Sequence, residues 1–247
     1  MMSCLGEIPK ADAAIFADTG NEPAEVYRYL VWLKAQGKKY DIPVYEVGYG
    51  NLGEDTLAYI NGTSKNQWAN VPVYMADEEG KPTGMQRRQC TGAYKIMPVR
   101  RKIRELMKER GEKSATLIMG ISSDETQRAK DSQVKYLTNE YPLIDMRMSR
   151  IDCLSWYNAH GYPAPPRSAC IFCPYRKDAE WKHLQENSPE EFQEAVEFDA
   201  QIRHMPGIHG TCYLHRSLQP LDQVDFGAHD GQIEWGFVEE CEGMCGI

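Results

Sequence analysis

No run of apolar residues among the 247 is long enough to span a bilayer, which takes about 20, so no membrane partner is expected. Positive charge is not in excess. Lys and Arg number 28 against 36 Asp and Glu, a net charge of −8 that argues against a general nucleic-acid coat. A local basic groove remains compatible with that balance. The opening stretch, MMSCLGEIPK, lacks the layout of a signal peptide, so a cytoplasmic protein is expected. Internal repeats and low-complexity tracts are also missing. What is present is a 42% hydrophobic, 26% charged chain, the composition of a packed core rather than a disordered one. Its length suits one substantial α/β domain or a domain with an appendage. Eight cysteines in a reducing compartment point to metal binding or catalysis rather than to a disulfide framework.

DAAIFADTG reads as a buried strand, Ala13 to Ala17, ending in a polar turn. Asn21-Glu22-Pro23 opens a helix, with Pro23 suited to the first turn. Val26, Tyr27, Leu30, Val31 and Leu33 give that helix an apolar face, and Gly37 is expected to end it. IPVYEVGY is a second strand. Residues 50–85 are rich in Gly and Asn, have little periodicity, and read as a long loop or flap. A helix runs from Pro98 to about Arg110, with Val99, Ile103, Leu106 and Met107 on one face and Gly111 as its stop. ATLIMGI is a third strand and YPLID a short fourth. Strand, helix, strand at this spacing predicts an α/β fold, a parallel sheet with flanking helices. Ligands of such sheets bind beyond the carboxyl ends of the strands. Asp18-Thr19-Gly20 and the turn from Gly120 to Glu125 lie at such ends.

The last third is helical and carries cysteines. Ser149 caps a helix that holds Cys153 and ends near Gly161. A Pro-rich turn, YPAPPRS, leads into Cys170-Ile171-Phe172-Cys173. SPEEF holds a capping box, Ser188 with Glu191, that opens another helix. A boundary near residue 148 divides a nucleotide-binding-like α/β domain (1–148) from a helical segment with a mobile tail (149–247), the two packing as one unit. The pair Cys170 and Cys173, followed at once by Pro174, fits a redox pair, half of a zinc site or part of an iron–sulfur cluster. A thioredoxin-like pair wants a strand before it and a long helix after it, which the Pro-rich lead-in does not provide. Cys4 and Cys212 read as small buried hydrophobes.

FADTGNEPAEVYRYL resembles the DTG–helix segment of phosphoadenosine phosphosulfate (PAPS) reductases and related adenine nucleotide alpha-hydrolase-like enzymes. RRQCTGAYKIMPVRR is similar to their RxCxxxxKxxP segment, with Arg88, Cys90, Lys95 and Pro98 matching. MGISSDETQR resembles the glycine-serine-acid turn that follows. SRIDCLSWYNAHGYP and SACIFCPYR continue the cysteine pattern of the iron–sulfur branch, which includes assimilatory sulfate reductases and a DNA phosphorothioation enzyme. ECEGMCGI resembles the Glu-Cys-Gly tail that carries the catalytic cysteine of the reductases. The resemblance spans nearly the whole chain, with one departure. The family opens with a pyrophosphate loop of the type SGGxDS, and the sequence contains none. Such a loop works by aiming backbone N–H groups at phosphate oxygens, so the resemblance does not extend to ATP use.

The resemblance implies a [4Fe–4S] cluster on Cys90, Cys153, Cys170 and Cys173, with zinc as the alternative occupant of four thiolates. Cys153 falls in the first turn of a capped helix, where the dipole is expected to favour thiolate. The catalytic thiol would be Cys241 or Cys245, with Glu240-Cys241 aligning best. Arg88 and Lys95 match positions that face substrate phosphate or sulfate, and Asp18, Thr19, Ser122, Asp124 and Arg128 are further substrate-binding candidates. The implied activity is thiol-dependent reduction or sulfur transfer on an adenylyl-sulfate-type substrate or other adenine nucleotide, with a thioredoxin-like thiol donor. The alternative is a non-catalytic, cluster-bearing module that binds a nucleotide, or a nucleic acid through the basic stretch from Arg87 to Arg104.

Overall fold

The computed structural model describes residues 1–64 and 71–227. A single turn of helix, α1 (Met2–Leu5), precedes strand β1 (Ala14–Asp18) and helix α2 (Ala24–Lys39). Strand β2 (Val44–Gly48) lies parallel to β1, with Ala14 opposite Val44 and Asp18 opposite Gly48. Helix α3 (Leu52–Ile60) and the strands β3 (Tyr74–Ala76) and β4 (Pro82–Met85) follow. A π-helical turn, Thr91–Ile96, runs directly into α4 (Met97–Arg110). Strands β5 (Ala115–Ile118) and β6 (Leu137–Glu140) form a second parallel pair. Helices α5 (Pro142–Asp145), α6 (Arg150–Ala159), α7 (Asp178–Asn187) and α8 (Pro189–Gln201) complete the helical part. A last short strand, β7 (Thr211–Tyr213), pairs antiparallel with β3, which also pairs antiparallel with β4.

The chain is therefore mixed α/β. Among the described residues the parallel pairing occurs as two separate pairs rather than one continuous sheet. Both pairs share a small apolar core under α4, where Val99, Ile103 and Leu137 meet Ile15, Val47 and Leu117. The larger core lies elsewhere. It joins Leu52, Val73 and Tyr94 to Phe172, Trp181, Phe198 and Leu214, so it crosses residue 148. Phe172 stacks on Phe198 with ring centroids 4.1 Å apart. Trp181 is wholly buried, and removing one such side chain from water contributes roughly 1.5–3 kcal/mol. Cys212 lies in this core as a small apolar residue, opposite Met75 across the β3–β7 ladder.

Several elements differ from the sequence expectation. Gly37 does not end α2, which continues to Lys39. Its role is close approach, since a Cβ at that position would stand 2.4 Å from the Ile42 carbonyl oxygen. Gly111 does stop α4, with φ 70° in the left-handed region. Residues 50–85 contain α3 and a hairpin rather than only a loop. Asn51 starts α3 by accepting the Glu54 N–H through its side chain, so the Asn that read as a loop residue is a helix cap. YPLID is not a strand. The fourth parallel strand is Leu137–Glu140, and Pro142 opens a helical turn. Ser149 forms the expected capping box, with Asp152. Ser188 makes no side-chain cap, and Glu191 instead accepts the N–H of Ala24, 2.7 Å away at the start of α2. A carboxylate from α8 thus satisfies one of the open N–H groups of a helix 167 residues away.

Two buried carboxylates organise the C-terminal part. Asp199 on α8 accepts the N–H groups of Leu214 at 2.7 Å and Leu221 at 3.1 Å, and pairs with Arg203. Asp178 at the start of α7 bonds to His215 Nε2 at 3.2 Å and to Arg216 at 3.0 Å. His215 Nδ1 takes the Ser217 hydroxyl at 2.7 Å and the Ser217 N–H at 3.2 Å. A nitrogen that accepts the N–H carries no proton, so the ring proton lies on Nε2 and is given to Asp178. Burial holds the His215 pKa below its ordinary value, against the pull of Asp178. His215 and Arg216 therefore brace the start of α7 through Asp178.

Candidate functional site: a cationic thiol cavity

The carboxyl end of β1 delivers Thr19, almost fully buried, with its hydroxyl 3.1 Å from the sulfur of Cys170. The next residue but one, Asn21, stitches two other segments to this point. Its carbonyl accepts the Ile171 N–H at 2.9 Å, and its side-chain oxygen accepts the Gly53 N–H at 2.8 Å. The Cys170–Cys173 segment is a tight turn, with the Cys173 N–H donating to the Cys170 carbonyl at 3.0 Å. Arg176 closes the turn from behind, its guanidinium donating to the carbonyls of Ala169 and Cys170. The cysteine turn is thus held by backbone bonds and the Arg176 guanidinium, and α7 begins five residues after Cys173.

Around this turn is a cavity of about 290 Å³. Cys90, Cys170 and Cys173 line it together with Arg88, Lys95, Arg128 and Arg167. Three thiols and four cationic side chains therefore share one wall. Lys95 reaches Glu22 at 3.2 Å, and the Ser168 hydroxyl donates to the other oxygen of the same carboxylate at 3.0 Å. The Glu22 side chain is fully buried. Arg88 lies over the Tyr175 ring, 3.4 Å from its centroid. Arg167 pairs with Glu180, and Arg128 with Glu125 at 2.7 Å. Burial pushes the Cys170 thiol pKa well up; the Glu22 charge adds to this, while Lys95 and the Thr19 hydrogen bond oppose it. A thiol so placed is ionised by a partner of high positive charge rather than by water.

A second cavity, of about 390 Å³, opens at the carboxyl end of β5. It is mostly apolar, with Ile118, Leu143, Trp156 and Tyr157 in its walls. Ser122, Glu125, Arg150 and Cys153 supply its polar groups, and Arg128 lines both cavities. Cys153 thus lines a different cavity from the other three thiols. Its pKa is raised by burial and by the charges of Asp124 and Asp152, so these outweigh the helix-dipole effect expected from its position. Among the described residues, no group of three or more His, Cys, Asp or Glu side chains is arranged to hold a metal ion. The donor chemistry of Cys90, Cys170 and Cys173 nonetheless fits a thiolate-bound centre, because adjacent cations offset anionic sulfur.

The structure brings together seven of the sequence candidates here: Thr19, Arg88, Cys90, Lys95, Arg128, Cys170 and Cys173. Ser122 lies in the second cavity. Asp18 lines neither; its carboxylate accepts the Gly20 N–H at 2.8 Å and the Tyr27 hydroxyl at 2.9 Å, the work of a turn-former. Asp124 also lines neither. It accepts the Arg150 N–H at 3.1 Å at the start of α6. Burial raises its pKa, but hydrogen bonds from Ser122 and Arg150 reverse this and hold it below the ordinary value. Cys241 and Cys245 lie outside the described residues. Sequence reading missed Glu22, Arg167 and Ser168. Glu22 read as a helix-entry residue beside Pro23, and Arg167 and Ser168 as the end of a Pro-rich turn; nothing local marks them as site residues.

No family model matches the chain, and no similar protein was found among curated proteins or among solved structures.

Proposed function

We propose that the chain is a PAPS reductase-like iron–sulfur enzyme that binds an adenylyl-sulfate-type anion for thiol-dependent reduction or sulfur transfer. The observation that carries this reading is the convergence of Cys90, Cys170 and Cys173 with Arg88, Lys95, Arg128 and Arg167 on one cavity. Arginine offers bidentate contacts to sulfate or phosphate, and lysine a point charge. Arg128, common to both cavities, would bind the anion where the thiol cavity meets the apolar one, which would receive the base. Glu22 holds the Lys95 ammonium in place, and Thr19 orients the Cys170 sulfur.

Cys90, Cys170 and Cys173 would hold the cluster. When bound, it would supply positive potential beside the anion. In the reductase form, the thiolate of Cys241 or Cys245 attacks the substrate sulfur. The sulfur–oxygen bond to the adenylate breaks, and the nucleotide leaves with that bond's electron pair. A thiol donor then attacks the cysteine sulfur, sulfite departs with the electron pair of the sulfur–sulfur bond, and the donor's second thiol breaks the resulting mixed disulfide, which frees the enzyme thiolate and leaves the donor as a disulfide.

Three measurements test this. Anaerobically purified protein should contain about four iron and four sulfide per chain; stoichiometric zinc in protein never exposed to oxygen would contradict it. Calorimetry should rank adenosine phosphosulfate above ATP and adenosine, with Lys95→Ala weakening the first by about tenfold or more. Tight, Mg²⁺-dependent ATP binding would reject the substrate assignment. Replacing Cys241 and Cys245 together with Ser should abolish turnover and leave the iron content unchanged. Full activity in that double variant would remove the reductase mechanism.

A further inference from the structure

The connection between β5 and β6 carries Arg128, which lines both cavities. A cation on a connection is placed only as well as the backbone beneath it. Here that backbone is fixed on each side of Arg128. Upstream, the Ser123 N–H donates to the Met148 carbonyl at 2.8 Å, and the Asp124 carboxylate accepts the Arg150 N–H at 3.1 Å. These two bonds tie the short 3₁₀ stretch Ser123–Arg128 to the chain entering α6.

Downstream, the pin is Tyr141, the residue that follows β6. Its hydroxyl donates to the Lys130 carbonyl at 2.5 Å and accepts the Lys130 N–H at 3.0 Å. Asn139, inside β6, donates to the same carbonyl at 2.9 Å. One phenol thus satisfies both backbone groups of one residue, as a neighbouring strand would. Lys130 stands two residues beyond Arg128, and between them the Ala129 N–H closes onto the Thr126 carbonyl at 3.0 Å. Little slack therefore separates the pin from the guanidinium, which is 12% exposed and pairs with Glu125. Lys130 itself is exposed, so water could serve its backbone groups as well. What Tyr141 supplies is position.

We infer that, given the anion contact proposed above for Arg128, Tyr141 is a positioning residue that sets it. A guanidinium binds sulfate or phosphate best through two parallel N–H groups, so the direction of its fork matters as well as its charge. Backbone held on both sides of the cation before the anion arrives has less freedom to lose on binding. Tyr141 lines neither cavity, so it acts through Arg128 and not on the anion. Lys130 lines neither cavity as well, so its backbone is the part that Tyr141 uses, and its ammonium is not a second anion contact.

The test is calorimetry with two probes, adenosine phosphosulfate, which carries the anion, and adenosine, which does not. Tyr141→Phe keeps the ring and removes the hydroxyl. It should weaken adenosine phosphosulfate about fivefold and leave adenosine unchanged. Asn139→Ala, which removes one of the two side-chain bonds to the Lys130 carbonyl, should weaken it about twofold. Lys130→Ala keeps every backbone group and should bind like wild type. In an Arg128→Ala background Tyr141→Phe should cost nothing further, because the side chain it places is gone. Unchanged affinity in Tyr141→Phe, equal losses for the two probes, or the same loss in the Arg128→Ala background would overturn the proposal. So would a loss in Lys130→Ala as large as in Tyr141→Phe, which would assign the anion to the Lys130 ammonium. The anion contact of Arg128 is itself rejected, and the role of Tyr141 with it, if wild type does not bind adenosine phosphosulfate or if Arg128→Ala binds it as tightly as wild type. Loss in Arg128→Ala without loss in Tyr141→Phe rejects the role of Tyr141 alone. Thermal melting of Tyr141→Phe should match wild type, since the bonds it removes are exposed; if that variant does not fold, the same two-probe comparison in Asn139→Ala decides.

Discussion

The thiol cavity and the Cys153 helix place the same reactive atom in two different settings. Cys90, Cys170 and Cys173 share their cavity with Arg88, Lys95, Arg128 and Arg167. Cys153 sits under the influence of Asp124 and Asp152 as well as burial, and all three raise its pKa. Burial raises the Cys170 pKa too, the Glu22 charge adds to it, and Lys95 opposes it as Arg150 does at Cys153. Desolvation is thus the first cause in both, with carboxylates adding to it and one cation opposing it; what distinguishes them is the company, three thiols with four cations in one cavity against a single thiol in the other. Position in a helix's first turn, a rule readable from sequence, is overridden at Cys153 by burial, with two carboxylates adding to it.

The largest expected effect tests that distinction. Cys170→Ser or Cys173→Ser should remove nearly all bound iron and lower the melting temperature, since ligation couples to folding. Cys153→Ser should keep most of its iron. Equal loss in both would mean that Cys153 joins the first site on loading and that the two cavities act as one.

Glu22→Ala comes next. It leaves the Lys95 ammonium and the Ser168 hydroxyl without a wholly buried acceptor. Breaking such a pair costs about 3 kcal/mol, read as a lower denaturant midpoint, and Glu22→Gln should recover most of it. No change in the Ala variant would show that the pair does not support the cavity.

A smaller effect depends on pH. The folded pKa of His215 is lowered, so the unfolded state binds the proton more readily. The stability this contributes is fully present above the unfolded value, about 6.5, and is lost as pH falls below it. Asp178 also has a lowered pKa; burial opposes the shift, and the His215 hydrogen bond and Arg216 charge produce it. Its contribution is present above about pH 4 and is lost as pH falls through the folded value. Denaturation curves between about pH 7 and 5 should therefore slope downward in wild type and flatten in His215→Gln. An unchanged slope would place the titration elsewhere.

The smallest effect falls on the Cys153 side alone. Ser149→Ala removes the capping box of α6 and should cost about 1 kcal/mol while leaving anion binding by the first cavity unchanged. Loss of anion affinity would show that the two regions are coupled, with Arg128 the side chain that touches both.

Much of the fold and part of the site were determined by sequence alone. The β1 and β2 strands, α4 with its Gly111 stop, and the Ser149 cap are set by local rules: alternating or periodic apolar residues, an αL glycine, a hydroxyl before a helix. The candidacy of Arg88, Cys90, Lys95, Cys170 and Cys173 was also legible, because thiols and cations are scarce enough types to mark chemistry. Tertiary structure decided the rest. Only packing shows that Gly37 is needed for contact with Ile42, that Glu191 caps α2 rather than its own helix, and that Glu22 holds Lys95. Only the chain's path puts Cys90, Cys170 and Cys173 into one cavity with four cations and Cys153 into another. Each of these depends on groups far apart in sequence, and a charge or acceptor acts through distance in space, which local sequence does not encode.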